Sequence, residues 1–254
     1  MRIKTLICSA AAAVLLMQGG MTMAAEQNAH SLQGIEARLY QEIGQNVKLD
    51  VRMQHLIKIT ALTSVGSDKL MEQSIGLALD AGVKPDEIQE AMVQTMAYAG
   101  LARAMDADAL LQQILAQRGL KIEVDHGVVT DADRFDKGLA QQKAIFGSGI
   151  DTMHANTKED EKFLNITELT GYCFGDTYTR TGLSLKEREL LTFCAITAMG
   201  GNWPQVKAHA QGNLNMQNTR QDLIDAITVM MPVIGFPKSL NALAIVNELT
   251  APRQ

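Results

Sequence analysis

The residue types able to move protons, hold carboxylates or act as nucleophiles gather in the second half of this chain. Cys173, Asp176, Tyr178, Arg180, Arg188 and Glu189 stand close together, and His209 follows in a later segment. An imidazole gives and takes protons near neutral pH. A guanidinium fork matches a carboxylate bidentately. A thiol is a nucleophile only as its thiolate. Each type also has an ordinary structural use. A lone His beside a helix serves as a surface or capping residue, and Arg188 with Glu189 opens a helix where an ion pair is usual. Arg180 can tie a loop to a helix end. His30, His126 and His154 sit in poorly patterned stretches without metal-ligand spacing. Trp203 beside Pro204 reads as a packing or interface residue.

The N-terminus narrows what the cysteines can do. Met1-Arg2-Ile3-Lys4 is basic, and Leu6 to Met17 is apolar but shorter than the roughly 20 residues a membrane-spanning helix needs. Thr22-Met23-Ala24-Ala25 then offers small residues before the polar Glu26. This predicts a cleaved secretory signal over residues 1–25 and a mature protein in the periplasm or outside the cell, with no membrane partner. Cleavage removes Cys8 and leaves Cys173 and Cys194. An exported chain can pair two cysteines, yet neither lies in a Cys-x-x-Cys motif, and Cys194 falls in an apolar helical run that suits a buried thiol. The 23 basic and 28 acidic residues give a net charge of −5. Losing Arg2 and Lys4 makes it −7, which argues against nucleic acid as a partner.

These residues have to be positioned by helices. Aromatic residues are only 4% of the chain, and Ala, Leu, Ile and Met dominate, a mixture that favours helix over sheet. Asp50 and Ser184 precede apolar-periodic segments and predict N-caps. Ser184-Leu-Lys-Glu187 predicts a capping box. Thr157-Lys-Glu-Asp160 and Thr219 with Asp222 are further starts. Pro85 with Asp86 and Glu87 suits a first turn. The best strand-like run, Ile122 to Val129, is weakened by Asp125, His126 and Gly127.

The pattern also repeats. Leu56-Ile-Lys-Ile-Thr-Ala-Leu-Thr-Ser-Val-Gly66 matches Leu190-Leu-Thr-Phe-Cys-Ala-Ile-Thr-Ala-Met-Gly200 at an offset of 134, and Glu87–Ala91 matches Asp222–Ala226 at 135. The extra residue falls near Gly200-Gly201. Each copy is a run of four helices, copy one about Leu49 to Arg118 and copy two about Phe163 to Leu249. A joining segment, residues 119–160, carries a helix near Asp133 to Phe146. As domains this gives residues 26–118, the joining segment, and residues 161–254. Pro232, where copy one has Ala97, predicts a kink. Gly100 and Gly235 read as sites of close helix packing.

Two segments of copy two carry a family resemblance. One runs from Cys173-Phe-Gly-Asp-Thr-Tyr-Thr-Arg180 to Arg188-Glu-Leu-Leu-Thr192. The other is Ala208-His-Ala-Gln-Gly-Asn-Leu214, continued by Ile234-Gly-Phe-Pro-Lys-Ser-Leu-Asn-Ala-Leu243. Together they resemble the carboxymuconolactone decarboxylase family, within the superfamily that holds the AhpD-type alkylhydroperoxidases. The resemblance spans nearly all of copy two and, more faintly, copy one. It implies an all-α, AhpD-like fold of two tandem repeats that assembles into a homo-oligomer, with a trimer favoured.

The peroxidase branch uses a Glu, a Cys-x-x-Cys and a following His. Glu189 and His209 match the Glu and the His, but the cysteine positions are Asn202 and Gln205, so dithiol peroxide reduction lacks its nucleophile. The decarboxylase branch needs neither cysteines, metal nor cofactor. By that resemblance His209 is the catalytic acid, and Glu189 orients it or holds it charged. Arg180 and Arg188 clamp substrate carboxylates, and Asp176 and Tyr178 line the pocket. At the matching positions copy one has His55 for Glu189, Ser74 for His209, Asn46 for Arg180 and Gln54 for Arg188. Copy one therefore reads as degenerate and structural, with one site per chain in copy two, which His55 could join. The expected function is cofactor-free decarboxylation, or related acid–base chemistry, on a small carboxylated lactone. The rival readings are a non-catalytic ligand-binding helical oligomer and a redox protein using Cys173 and Cys194.

Overall fold

The computed structural model describes residues 30–252, so the expected signal over residues 1–25 lies outside the described residues. Those residues form helices and connections with no strand. Helix α1 (Leu32–Asn46) begins at Ser31, whose hydroxyl accepts the Gly34 amide at 3.0 Å. It belongs to a separate unit ending at Val47.

From Lys48 onward the chain packs as one unit. Copy one contributes α2 (Val51–Val65), α3 (Asp68–Asp80), α4 (Pro85–Ala99) and α5 (Leu101–Gln117). The joining segment holds α6 (Arg134–Phe146) and α7 (Gly149–Asn156), and a short turn leads into α8 (Phe163–Tyr178). Copy two contributes α9 (Leu185–Met199), α10 (Trp203–Asn215), α11 (Arg220–Ile234) and α12 (Phe236–Thr250). The four helices of each copy correspond one to one, and the starts of α2 and α9 carry the expected caps. Asp50 accepts the Met53 amide at 2.8 Å, and Ser184 and Glu187 form the predicted box. Thr219 and Asp222 form another at α11, and Pro85 opens α4.

Helices α2 and α9 pack against each other, and both pack on α4 and α11. Every side chain from Leu56 to Ser64 on α2 and from Arg188 to Ala198 on α9 is buried. That is how a helix behaves when it is covered on all sides, and it means the polar residues of α9 must find partners inside the protein.

The joining segment and the start of copy two hold more helix than the sequence suggests. Helix α8 is hydrogen-bonded in the wide π pattern, which places residues five apart, such as Cys173 and Tyr178, on one face. It lies close against α6 because a Cβ at Gly138 would run into the Thr170 carbonyl and one at Gly175 into the Arg134 carbonyl. Ile122 to Val129, already a weak strand candidate, forms none; it is pinned by His126, which bonds Asp86 at 2.9 Å and Thr181 at 2.8 Å. Two expectations change here. Thr157 ends α7 and starts no helix. Gly100 and Gly235 cap helix C-termini at φ +96 and +76 with no neighbour crowding either Cα. Their role is a left-handed turn between helices, which glycine adopts without steric cost. Pro232 lies inside α11, which runs on to Ile234.

Candidate functional site

Helices α9 and α10 bring Glu189 and His209 together. Glu189 is fully buried, and its Oε1 lies 2.7 Å from His209 Nδ1. Asn213, one turn after His209, donates its side-chain amide to the carbonyls of Glu189 at 2.9 Å and His209 at 2.8 Å, tying the two helices at this point. A glycine at 212 makes the approach possible, since a Cβ there would overlap Glu189 Oε1. With Nδ1 engaged by a carboxylate, Nε2 is the nitrogen left for exchange, and it has no hydrogen bond to any described residue. His209 is 7% exposed, and its ring stands edge-on to Tyr98 and Phe146, each with a centroid separation of 5.3 Å.

Tyr178 joins this pair. Its hydroxyl donates to Glu189 Oε2 at 2.9 Å and lies 2.7 Å from Thr192 Oγ1 and 3.0 Å from the Tyr98 hydroxyl. Burial holds the phenols of Tyr98 and Tyr178 well above their ordinary value, so both stay protonated donors. Asp176, two residues earlier, is elsewhere. It accepts from Arg134 of α6 at 2.7 Å and makes no contact with the pair.

Arg188 and Arg180 meet a protein carboxylate where the resemblance implied a substrate one. Glu90 of copy one, 1% exposed, receives Arg188 Nη2 at 2.6 Å and Arg180 Nη2 at 2.8 Å. Arg188, itself fully buried, also donates to Gln94 and to the carbonyls of Arg180 and Thr181. Burial lowers its pKa, and Glu90 works against that shift. Burial likewise opposes the charge on Arg180, but the hydrogen bonds and charge of Glu90 outweigh it and hold its pKa up. Both forks are therefore occupied, and they act on the site through Glu90 and Gln94.

The residues that the sequence reading missed lie on α4. Glu90, Gln94 and Tyr98 are spaced four apart, which puts them on one helix face, and that face meets Arg188, Thr192 and Tyr178. The only signal available was the four-residue spacing of these polar side chains, on a helix that also carries Asp86, Glu87, Gln89 and Thr95. Copy one is thus part of the site and not only a scaffold. The matching face of α11 has Asp225, Val229 and Val233. Asp225 serves copy one in return, accepting the backbone amides of Lys48 at 2.6 Å and Leu49 at 3.3 Å ahead of α2. His55 is half-buried on α2, with its pKa lowered by burial and by Lys58. Ser74 is buried with an unpartnered hydroxyl. Neither bonds to Glu189 or His209.

The sequence pattern of the carboxymuconolactone decarboxylase family matches residues 32–113 and again residues 167–248. The chain belongs to the carboxymuconolactone decarboxylase family. The matched stretches cover most of both copies, and the second contains the Glu189–His209 pair. A comparison with curated proteins gave no match. The positions of a peroxidase cysteine pair are filled by Asn202, the N-cap of α10, and Gln205. Cys173 and Cys194 are free and buried, and burial pushes the Cys173 thiol up to about 12 and that of Cys194 higher still. Neither is a thiolate at neutral pH. Among the described residues no three of His, Cys, Asp and Glu converge as metal ligands do.

Proposed function

We propose that this protein carries out acid–base chemistry on a small carboxylated lactone, in the manner of a cofactor-free decarboxylase. The observation that carries this reading is the 2.7 Å contact of His209 Nδ1 with buried Glu189. A carboxylate that accepts the Nδ1 proton fixes the tautomer and leaves Nε2 to take or give a proton. Loss of CO₂ from such a lactone leaves a dienolate, and His209 Nε2 delivers the proton to its carbon. Glu189 stabilises the imidazolium before that transfer. Arg180, Arg188 and Tyr178 serve as positioning residues around Glu189.

The experiment is incubation of the protein with carboxymuconolactone, following ultraviolet absorbance and CO₂ release. His209→Gln is expected to lower turnover by about 10²- to 10⁴-fold, the usual contribution of a general acid. Turnover that survives the substitution refutes the assignment.

A second reading, a non-catalytic binding protein, has support in the occupied forks of Arg180 and Arg188, which leave the substrate carboxylate without those two cations. Tight binding of small carboxylates without turnover favours it. We also propose that the chain is exported and self-associates. Leu101 and Met105 of α5 and Phe236 and Leu240 of α12 occupy matching positions, and each is more than half exposed. Paired apolar surface of this kind supports assembly of copies, which sedimentation velocity measures directly.

A further inference from the structure

Counting donors and acceptors around Glu189 fixes the direction of each proton. As a carboxylate, Glu189 only accepts, so the bonds from His209 Nδ1 and from the Tyr178 hydroxyl both run toward it. Tyr178 has one proton, held between Glu189 Oε2 at 2.9 Å and Thr192 Oγ1 at 2.7 Å, and its oxygen accepts from the Tyr98 hydroxyl at 3.0 Å. Thr192 Oγ1 also accepts from Gln94 Nε2 at 3.0 Å, and Gln94 turns its carbonyl to Arg188 Nη1 at 3.1 Å. Tyr98 accepts from the Cys173 thiol at 3.4 Å. One chain, from Cys173 through Tyr98 and Tyr178, ends at Glu189, and a second, from Arg188 through Gln94, ends at Thr192, the rival acceptor.

We propose that helix α4 of copy one sets the proton affinity of His209 through these chains, with Gln94 and Tyr98 as positioning residues. The proposal rests on the reading of His209 and Glu189 as the working pair. Hydrogen bonds aligned in one direction polarise and strengthen one another. A carboxylate held by stronger donors is a weaker base, so it pulls less on the Nδ1 proton. Weakening the chain from Cys173 makes Glu189 more basic and raises the pH at which His209 loses its charge, and removing the rival acceptor does the opposite. The groups facing the imidazole are consistent with this control. Glu189 comes from α9, Tyr98 from α4, and Tyr178 and Cys173 from α8. Helix α6 presents Phe146, which carries no charge. The α12 side of α10 bears the exposed Lys207–Glu248 pair.

The test is the titration of the five histidines of the full chain by NMR, with His209→Gln identifying the His209 signal. Tyr98→Phe keeps the ring against the imidazole and removes the hydroxyl. It is expected to raise the His209 midpoint by about 0.5 pH unit, roughly a threefold change in proton affinity. Thr192→Val removes the rival acceptor, leaves the Tyr178 proton to Glu189 and is expected to lower it. His30, His55, His126 and His154 keep their midpoints, which a general loosening of the fold would not leave unmoved. An unchanged or lowered His209 midpoint in Tyr98→Phe with native circular dichroism overturns the proposal. If that variant does not fold, Thr192→Val decides, a raised or unchanged His209 midpoint overturning the proposal. No substrate is needed, so the two readings fail separately. A raised midpoint in a protein without turnover overturns the decarboxylase reading alone, and an unmoved midpoint overturns the relay whatever the turnover.

Discussion

Glu90→Gln removes one negative charge from a place where two guanidinium groups share it. Arg188 is fully buried and lies 2.6 Å from Glu90 Oε2. After the substitution Arg188 still reaches the carbonyls of Gln94, Arg180 and Thr181, while its Nε has no acceptor even in the intact protein. Breaking one side of a buried pair costs about 3–5 kcal/mol, and the three retained carbonyls place this case near the lower end. Arg180 adds little to the loss, because it is partly exposed and also reaches the solvent-facing Asp125. A cost of about 3 kcal/mol corresponds to a fall of roughly 6–12 °C in Tm for a chain of this size. Urea unfolding followed by circular dichroism measures it. Arg188→Met alone should cost a similar amount, since it leaves Glu90 buried with only Arg180. The double variant Glu90→Leu with Arg188→Met should cost less than the two single changes together, because it buries fewer unmatched charges. A loss under about 1 kcal/mol for Glu90→Gln, the level of an exposed pair, would refute the argument that this carboxylate holds the two arginines.

Two further predictions concern the site's edge and the acid limb of stability. Gly212→Ala places a Cβ onto Glu189 Oε1 and 2.9 Å from Ile145 Cγ2; it should displace the Glu189 carboxylate, shift the His209 NMR signal and destabilise by about 1–3 kcal/mol. Gly44→Ala, which meets nothing within 4 Å, is the control, and equal behaviour of the two variants would sink the explanation. Arg52 bridges Glu87 at 3.0 Å and Glu187 at 2.6 Å. Burial tends to raise the Glu187 carboxyl, but hydrogen bonds from Ser184 and Arg52 outweigh it and hold it below its ordinary 4.5. The stabilisation is therefore complete above pH 4.5 and is lost as pH falls through the lowered value. Arg52→Met should cost about 0.5–1 kcal/mol at pH 7 and move the acid-unfolding midpoint to higher pH; an unmoved midpoint in an acid titration counts against it.

The helices were legible because their punctuation is local. Asp50, Ser184 and Thr219 satisfy backbone groups within their own first turn and Pro85 brings no N–H to be satisfied, and the duplication supplied a second copy of the pattern against which to check the first. Glu189 and His209 were legible only through the family resemblance; nothing in their spacing alone joins α9 to α10. The partners on α4 were not legible, because Glu90 and Arg188 are far apart in sequence and only the packing of α4 on α9 makes them neighbours. An acid on a helix surface defaults to solvent in a sequence reading, and Glu90 departs from that default. The winding of α8 was hidden for a related reason. Its course follows from glycine contacts with α6 that sit in two separate segments, and no periodicity within either one records them.

The trade of buried carboxylates, Glu90 to the arginines of copy two and Asp225 to the amides ahead of α2, has a consequence for how such a protein is assembled from parts. A molecule made of one repeat, carrying the same acid and imidazole, would have to borrow the α4 stripe from another molecule at whatever concentration was available. Here lender and borrower are one polypeptide, so the stripe is supplied at fixed stoichiometry and at an effective concentration on the order of millimolar or more. Dilution cannot separate them. That arrangement also frees the lender. With its helix committed to the neighbouring repeat, copy one has no need of an acid and imidazole of its own, and His55 and Ser74 stand where they would have been.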